Sequence, residues 1–350
     1  MFYKVLGLMS GTSLDGLDMA YCEFEENEGL WHYKIPKAET FAYDDKMRSF
    51  LLNCERCSGE DLSYADYELG KFFGKCAFDF LEKHSLEVDF ISSHGQTIFH
   101  QPEKGFTTQI GNLSALACFS QRTVVGDFRS MDVALKGQGA PLVPIGDRLL
   151  FGQYDCCLNL GGFSNISFEQ EGKRIAYDIC PTNMVLNYLS MQKGLAYDKD
   201  GYLASKGKID ETLLQTLNSI PYYKDMQHHS LGKEWVNKYI FPLINSFPLS
   251  VEDLLATYTE HLTTQIAKHI KGDTLVTGGG AYNKHLIQSL KTKTKYHIII
   301  PDKQTINFKE ALIFAFLGVR RMRGEVNCLA SVTGATQDSC SGCVVLKPTN

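Results

Sequence analysis

Two segments about half a chain apart share one pattern: an apolar strand, a polar turn that contains glycine, and a second strand. The first runs from Val5 to Asp18 through Ser-Gly-Thr-Ser-Leu-Asp-Gly, and the second runs from Leu158 to Phe168 through the adjacent Gly161 and Gly162. Glycine permits backbone angles closed to other residues, and consecutive backbone N–H groups in such turns form a concave site for phosphate oxygens. The repetition predicts a duplicated nucleotide-binding fold that closes on ATP from both sides. Ordinary polar turns favour the same residues, so the pattern alone leaves that alternative open.

A third glycine cluster follows another apolar strand and precedes a helical stretch at residues 284–290. At the start of a helix such a cluster lets adenosine lie against the backbone. None of the three segments matches GxxxxGK[ST] or GxGxxG, which disfavours a P-loop enzyme and a Rossmann dehydrogenase. The residues predicted to bind ATP are Gly11, Thr12, Ser13, Leu14, Asp15, Gly16, Leu17, Asp18, Gly161, Gly162, Gly278, Gly279 and Gly280.

The first turn also carries acids. Asp15 and Asp18 are candidates to hold Mg²⁺, usually through water, and Asp15 is the predicted metal ligand.

Composition limits the partners. A chain of 350 residues is long enough for two domains, and its net charge of −5 gives no footprint for nucleic acid or an anionic membrane. The longest apolar run, residues 311–319, is far shorter than the roughly 20 residues that span a bilayer, and no signal-peptide pattern is present. We therefore expect a cytoplasmic protein with a small-molecule substrate, and a homodimer remains open.

Cysteine usage agrees with that location. Eleven cysteines are an odd number scattered along the chain, which indicates reduced thiols. Two CxxC pairs, Cys54/Cys57 and Cys340/Cys343, could together form a zinc site, but they lie near opposite ends of the chain. Reduced thiols are the favoured interpretation.

Hydrophobic spacing predicts most of the elements. An amphipathic helix is expected at residues 61–86, then a strand at 88–94 that ends in a polar turn at 95–97. A helix beginning at residues 250–253 should end at the C-cap Gly272, and a last helix is expected at 307–322.

The polar, glycine-rich segment at residues 128–144 predicts a crossing between domains. We place an N-terminal α/β domain at 1–130 and a C-terminal α/β domain at 131–350, with the last helix packing back toward the first domain.

The chain resembles the anhydro-N-acetylmuramic acid kinases through nine segments in order. They are GTSLDG at 11–16, SHGQ at 93–96, QIGN at 109–112, GDFR at 126–129, GQGAPLVP at 137–144, YDKD at 197–200, TGGG at 277–280, KEA at 309–311 and SVTGA at 331–335. The resemblance implies the actin-like ATPase and sugar kinase fold, with two similar α/β domains and ATP in the cleft between them. It also implies that water opens the 1,6-anhydro bridge of anhydro-N-acetylmuramic acid while the freed oxygen is phosphorylated by ATP. The product is N-acetylmuramic acid 6-phosphate, in recycling of cell-wall sugars.

The resemblance assigns the catalytic base to Asp178, the acid of a DTGPGN-like motif. Cys180, Pro181 and Thr182 replace its Gly-Pro-Gly, Asn187 stands where an acid is expected, and 145–147 lacks a common histidine. A closely related sugar, or a reshaped pocket for the same one, is therefore an alternative. Asp178 could also only satisfy backbone N–H groups near a helix that starts at Pro181.

The remaining polar residues of these segments are predicted to contact the sugar. A guanidinium fork suits the lactyl carboxylate, which favours Arg129, although Asp127 and Asp132 could instead pair with it. Glu310 could cap the last helix from its position three residues after Asn307. The predicted substrate-binding residues are His94, Gln96, Arg129, Asp132, Gln138 and Glu310.

Two other functions compete. A related kinase acting on a different sugar or acyl group would leave a bridged sugar untouched. A non-metabolic actin-like ATPase would have no use for the dense polar segments between residues 93 and 144.

Overall fold

The computed structural model describes residues 1–224 and 231–349. The chain forms two compact units, Met1–Leu150 with Phe308–Asn350 (unit 1) and Phe151–Asn307 (unit 2). Both units are α/β, which confirms the predicted class. None of the helices described is both long enough and apolar enough to cross a membrane.

The strands in chain order are β1 (Phe2–Ser10), β2 (Gly16–Asn27), β3 (Leu30–Ala42), β4 (Phe90–Gln101), β5 (Phe106–Ile110), β6 (Val124–Gly126), β7 (Cys156–Leu160), β8 (Phe163–Gln170), β9 (Lys173–Pro181), β10 (Thr274–Thr277), β11 (Ile298–Ile299) and β12 (Cys343–Val345).

The helices in chain order are α1 (Asp45–Asn53), α2 (Gly59–His84), α3 (Leu113–Ser120), α4 (Ser130–Ala134), α5 (Pro144–Leu150), α6 (Asn183–Met191), α7 (Glu211–Asn218), α8 (Lys233–Trp235), α9 (Phe241–Asn245), α10 (Val251–His269), α11 (Lys284–Lys293), α12 (Lys303–Arg323) and α13 (Ala330–Thr333).

The sheet of unit 1 has the order β12-β6-β4-β1-β2-β3, with β5 paired to β4. β1 is antiparallel to β2 and parallel to β4, so the first predicted hairpin lies at the centre of the sheet. Apolar residues of α2, including Leu69 and Phe73, pack with Leu6 and Leu8 of β1. β4 also bonds to α12, because the Ser92 hydroxyl donates to the Phe314 carbonyl of that helix at 2.5 Å.

The sheet of unit 2 has the order β11-β10-β7-β8-β9. β10 runs parallel to β7, whereas β7, β8 and β9 form an antiparallel meander. Its core joins Leu158 and Val276 of the strands with Tyr258 and Leu262 of α10. The second hairpin and the glycine run thus leave neighbouring strands, and β9 forms one edge of the sheet.

The boundary between the units differs from the prediction near residue 130. Residues 131–150 belong to unit 1 because Asp132 bonds to its C-terminal part: the Thr333 hydroxyl donates to Asp132 Oδ1 at 2.7 Å, and the Cys328 thiol does so at 3.1 Å. The chain then returns to unit 1 at Phe308, within α12.

Four local predictions are corrected. The expected turn at residues 95–97 lies inside β4, since Gln96 pairs with Ile110 of β5. α12 begins at Lys303, where the Asp302 carboxylate accepts from the Thr305 N–H, so Glu310 does not cap it. α10 ends at His269, before Gly272, and Pro181 lies in β9, before α6 begins.

Candidate active site

The first hairpin of unit 1 presents its polar tip to solvent, with Thr12, Ser13 and Asp15 exposed. A turn closes it, because the Leu14 N–H donates to the Gly11 carbonyl at 3.1 Å. The left-handed residue of this turn is Leu14, at φ 56°, and neither glycine has a positive φ. The tip is therefore accessible to a ligand, as the predicted phosphate site requires.

The base of this hairpin is packed and does not face a ligand. Leu17 is fully buried in the core of unit 1, so its predicted nucleotide contact does not involve its side chain. A Cβ at Gly16 would collide with the Phe41 carbonyl oxygen of β3. Close packing between strands, and not ligand approach, therefore requires glycine at this position.

Gln96 supports the hairpin from beneath. The Ser10 hydroxyl donates to Gln96 Oε1 at 2.6 Å and lies 2.7 Å from the Tyr43 hydroxyl, from which it therefore accepts. Gln96 is 2% exposed, which places it behind the first hairpin. Tyr43 has no signal in the sequence, because its partner lies 33 positions away.

The acids of the hairpin form a repelling pair. Burial raises the pKa of Asp18, the Thr40 hydroxyl bond opposes that rise, and the charge of Asp15 adds to it. Mg²⁺ is usually bound through one or two carboxylates and keeps several waters, so two neighbouring acids on an accessible hairpin are sufficient protein groups for it. No group of three or more His, Cys, Asp or Glu side chains within residues 1–224 and 231–349 could hold a metal ion. The hairpin thus fits a hydrated magnesium ion and not an all-protein cage.

His94 and Arg129 form a fixed pair in unit 1. His94 Nδ1 lies 2.8 Å from the Gly95 carbonyl, which can only accept, so Nδ1 carries the proton. Nε2 then accepts from Arg129 Nε at 3.0 Å and from Nη2 at 2.8 Å. Burial and the positive charge of Arg129 lower the pKa of His94 to about 3. The imidazole is therefore neutral and orients the guanidinium.

Arg129 keeps an unpaired charge. Nη1 donates to the Gly139 carbonyl at 2.6 Å, which with the two bonds to His94 leaves two of its five N–H groups without partners among the residues described. No ion pair within 4.0 Å joins this guanidinium to a carboxylate of the described residues. Asp127 and Asp132 therefore make no direct ion pair with Arg129, although the charge of Asp132 still favours the charged guanidinium. Burial lowers the pKa of Arg129 to about 10, which still leaves it charged.

Buried neutral histidines predict a pH-dependent stability. Burial lowers the pKa of both His94 and His261 to about 3, against an ordinary 6.5. Below pH 6.5 the unfolded chain binds protons that the folded chain does not, so stability falls toward pH 3 by up to about 1.4 kcal/mol per pH unit for each histidine. Urea unfolding at pH 7.5, 6.5 and 5.5 measures this slope. The variant His261→Gln should lower the slope by about one proton, and an unchanged slope would contradict the assignment.

Asp132 and Gln138 shape the loop after Arg129. Asp132 is buried and accepts from the Gly139 N–H at 2.7 Å, in addition to its bonds to Thr333 and Cys328. These bonds occupy both carboxylate oxygens, so Asp132 stabilises the loop that follows Arg129. Gln138 is exposed, and its N–H donates to the Thr333 carbonyl at 2.8 Å.

Glu310 lies on α12, with its side chain exposed. The surrounding protein raises its pKa by partial desolvation, and the positive charge of Arg129 opposes that rise. The two charges therefore interact within unit 1 without direct contact.

A polar cavity of about 360 Å³ lies beside His94. Its lining includes Asp66, Ser93, Thr107, Gln109 and Asp127, which offer mostly hydroxyl, amide and carboxylate groups. Such groups suit a hydroxyl-rich ligand.

In unit 2 the second hairpin is fixed to the start of α6. The Gly162 carbonyl accepts from the Thr182 N–H at 2.8 Å, and the Gly161 carbonyl accepts from the Asn183 N–H at 3.2 Å. The Asn183 amide also donates to the Leu160 carbonyl at 2.9 Å. The Gly161-Gly162 turn is thereby held rigidly.

The glycine run packs against the same hairpin. Gly278 has φ +80°, and a Cβ there would lie 2.5 Å from Asn159 Oδ1 and 2.8 Å from the Leu160 carbonyl carbon. Only glycine fits. Gly279 and Gly280 follow, with Asn183 beside both. Unit 2 thus brings together the predicted phosphate turn and the predicted adenosine turn.

Asp178 lies on β9, opposite Asn165 of β8. Its Oδ2 accepts from the Leu231 N–H at 2.8 Å, and its carbonyl accepts from the Tyr222 hydroxyl at 2.7 Å. Burial raises the pKa of Asp178, and the Leu231 bond opposes that rise. Its carboxylate does not cap α6, because the carbonyls of the second hairpin bond to the first N–H groups of that helix.

A comparison with protein families decides the class of this chain. The model of the family described as "AnmK: Anhydro-N-acetylmuramic acid kinase" matches residues 3–347.

The chain belongs to the anhydro-N-acetylmuramic acid kinase family.

Individual relatives agree with this family. An anhydro-N-acetylmuramic acid kinase of Sulfurimonas denitrificans is 32% identical and covers 97% of this chain and 98% of its own length. That of Aliivibrio fischeri is 34% identical and covers 99% and 100%. Among solved structures, the activator of the 2-hydroxyisocaproyl-CoA dehydratase from Clostridium difficile with bound ADPNP matches at 11% identity. The match covers 91% of this chain and 97% of the activator chain, with a TM-score of 0.45. This similarity is too low to bear on function.

Membership of the anhydro-N-acetylmuramic acid kinase family makes this chain a kinase, a phosphotransferase with an alcohol group as acceptor. Sequence reasoning missed Tyr43, Tyr222 and Leu231. Each acts through a bond to a residue that is distant in the sequence.

Proposed function

We propose that this chain is an ATP-dependent kinase that opens the 1,6-anhydro ring of anhydro-N-acetylmuramic acid with water. It transfers the γ-phosphoryl group to the 6-oxygen, giving N-acetylmuramic acid 6-phosphate and ADP. The observation that carries this proposal is the family match over residues 3–347. The cellular role is recycling of cell-wall sugars.

Unit 1 supplies the groups that recognise the sugar. Two N–H groups of Arg129, one on each terminal nitrogen, have no partner within the described part of the chain, and a lactyl carboxylate accepts such a pair. Neutral His94 and the Gly139 carbonyl hold the guanidinium without neutralising it. His94 and Asp132 thus act through Arg129, while Gln138 and Glu310 are exposed for direct contact.

Unit 2 supplies the base. Asp178 takes a proton from water as that water attacks the anomeric carbon, the bond from this carbon to the bridge oxygen breaks, and the freed oxygen attacks the γ-phosphorus. The raised pKa of Asp178 suits a proton acceptor that must still be ionised near neutral pH.

Phosphoryl transfer depends on positioning and charge neutralisation. The exposed tip of the first hairpin, the Gly161-Gly162 turn and the glycine run at 278–280 bind ATP. Asp15, with Asp18 nearby, would hold Mg²⁺ through water, and the bound ion offsets phosphate charge.

The cytoplasm is the proposed location. All eleven cysteines lie in the part of the chain described, and none of them forms a disulfide there, which suits a reducing compartment.

Oxygen-18 water tests the reaction. Purified protein with Mg-ATP and the anhydro sugar should give a ring-opened sugar phosphate with one heavy oxygen at the anomeric carbon, measured by mass spectrometry. Omitting ATP should abolish the product. ADP formation without labelled sugar phosphate would contradict the proposal, and phosphorylation of another sugar alone would indicate the related-kinase alternative.

The changed residues after Asp178 do not favour that alternative. Cys180 and Thr182 are fully buried, and the Cys180 N–H bonds to the Ser164 hydroxyl at 3.2 Å. These substitutions are therefore absorbed in the packing of unit 2 and do not line a sugar pocket.

A further inference from the structure

β9 carries Asp178 on an irregular part of an edge strand. The register of the β8–β9 pair shifts between Ser164 and Asn165, whose partners are Cys180 and Asp178, so Ile179 is an extra residue between them. A bulge of this kind redirects a side chain and interrupts the hydrogen bonds of the ladder. Among the residues described, β9 has a neighbouring strand on one side only. The ladder alone therefore holds Asp178 weakly.

Two bonds from outside the sheet compensate. The Tyr222 hydroxyl donates to the Asp178 carbonyl at 2.7 Å, and the Leu231 N–H donates to Oδ2 at 2.8 Å. The first fixes the main chain beside the bulge, and the second fixes the carboxylate. Together they determine where the second carboxylate oxygen points.

The Tyr222 ring is itself held by aromatic contacts. Its centroid lies 5.3 Å from that of Trp235 on α8 and 5.4 Å from that of Tyr223, at 59° and 87°. Tilted and edge-to-face pairs at these separations are attractive. The hydroxyl therefore reaches Asp178 from a ring that packs against two other aromatic rings.

We propose that Tyr222 is a positioning residue for Asp178, which keeps the carboxylate aligned with the attacking water. This inference rests on the proposed role of Asp178 as the base. Tyr222 touches the main chain of Asp178 and need not touch the sugar or the nucleotide.

The adjacent tyrosine is a matched control. The Tyr223 hydroxyl is buried and has no hydrogen-bond partner in the described part of the chain, while its ring packs against Trp235 as that of Tyr222 does. Tyr222→Phe and Tyr223→Phe thus remove the same atom from neighbouring aromatic rings. Only the first removes a bond to Asp178.

The test compares kcat and KM of the two variants, with kcat calculated per titrated ATP-binding site so that unfolded protein does not count. Tyr222→Phe should lower kcat about 10- to 100-fold, because small misplacement of a reacting group has effects of this size. The KM values for sugar and ATP should stay within about twofold, as expected when binding is untouched. Tyr223→Phe should behave as the parent.

A double variant separates positioning from general support. Residues that act through one another are not additive, so adding Tyr222→Phe to Asp178→Asn should lower the residual rate no further. The inference would be overturned if Tyr222→Phe lowered the rate of the Asp178→Asn variant as strongly as it lowers that of the parent, or if both tyrosine variants had equal kcat. Either result would leave the base assignment standing. Full turnover by Asp178→Asn would instead remove the base assignment and this inference with it.

Discussion

Replacing Asp178 by asparagine should lower turnover about 10²- to 10⁴-fold, the usual contribution of a general base, while ATP binding is unchanged. The amide keeps an oxygen that can accept from the Leu231 N–H, so the local structure should persist. It cannot take a proton from water. Steady-state turnover and calorimetric ATP binding measure the two effects.

The matched control is Asp210→Asn in the same unit. Asp210 caps α7 by accepting from the Leu213 N–H at 2.8 Å, and asparagine caps helices as well as aspartate does. We expect full turnover from this variant. If Asp178→Asn were equally active, Asp178 would serve only to hold Leu231.

The turnover of the parent protein also depends on pH in a defined direction. Because burial raises the pKa of Asp178, the acid limb of the kcat profile should lie above the ordinary value of 3.8, with activity lost as the base is protonated. His94 should not contribute near neutrality, since its pKa is about 3. If the acid limb of the kcat profile disappeared in Asp178→Asn, the limb would be assigned to the Asp178 carboxylate.

Replacing Arg129 by lysine should raise the KM for the sugar about 10- to 100-fold, because hydrogen bonds to charged groups contribute about 1.5–3 kcal/mol. Lysine keeps the positive charge but lacks the planar pair of N–H donors. The charge alone therefore does not replace the two hydrogen bonds of the guanidinium. Sugar kinetics at saturating ATP measure the change, and the KM for ATP should be unaffected.

A substrate without the lactyl group provides the control for Arg129. The parent protein should bind the anhydro form of N-acetylglucosamine poorly, and Arg129→Lys should weaken that binding no further. Arg122→Lys, on a partly buried arginine of the same unit that pairs with Glu87 at 3.4 Å, should change neither KM. If Arg129→Lys weakened the binding of both sugars equally, Arg129 would only support its loop.

Sequence alone predicted the parts of the fold that local pattern determines. Both glycine hairpins, the helix α2 and the Ser250 cap of α10 follow from residues within a few positions of each other. Local sequence pattern also placed Asp178 and Arg129 in polar segments. Their roles, however, came from the family resemblance.

The sequence could not predict what depends on distant partners. The turn expected at 95–97 is strand because Gln96 pairs with Ile110, and the boundary moves to residue 150 because Asp132 bonds to Thr333. Tyr222 and Leu231 lie 44 and 53 positions from Asp178. No spacing rule relates residues so far apart.

The discontinuity of unit 1 has a consequence for biosynthesis. Unit 2 is one continuous stretch, Phe151–Asn307, whereas unit 1 needs Phe308–Asn350 in addition to its first 150 residues. Domains fold as units while the chain leaves the ribosome. The half that is translated first is therefore completed last, because its sheet receives β12 and most of α12 only after all of unit 2 has been translated.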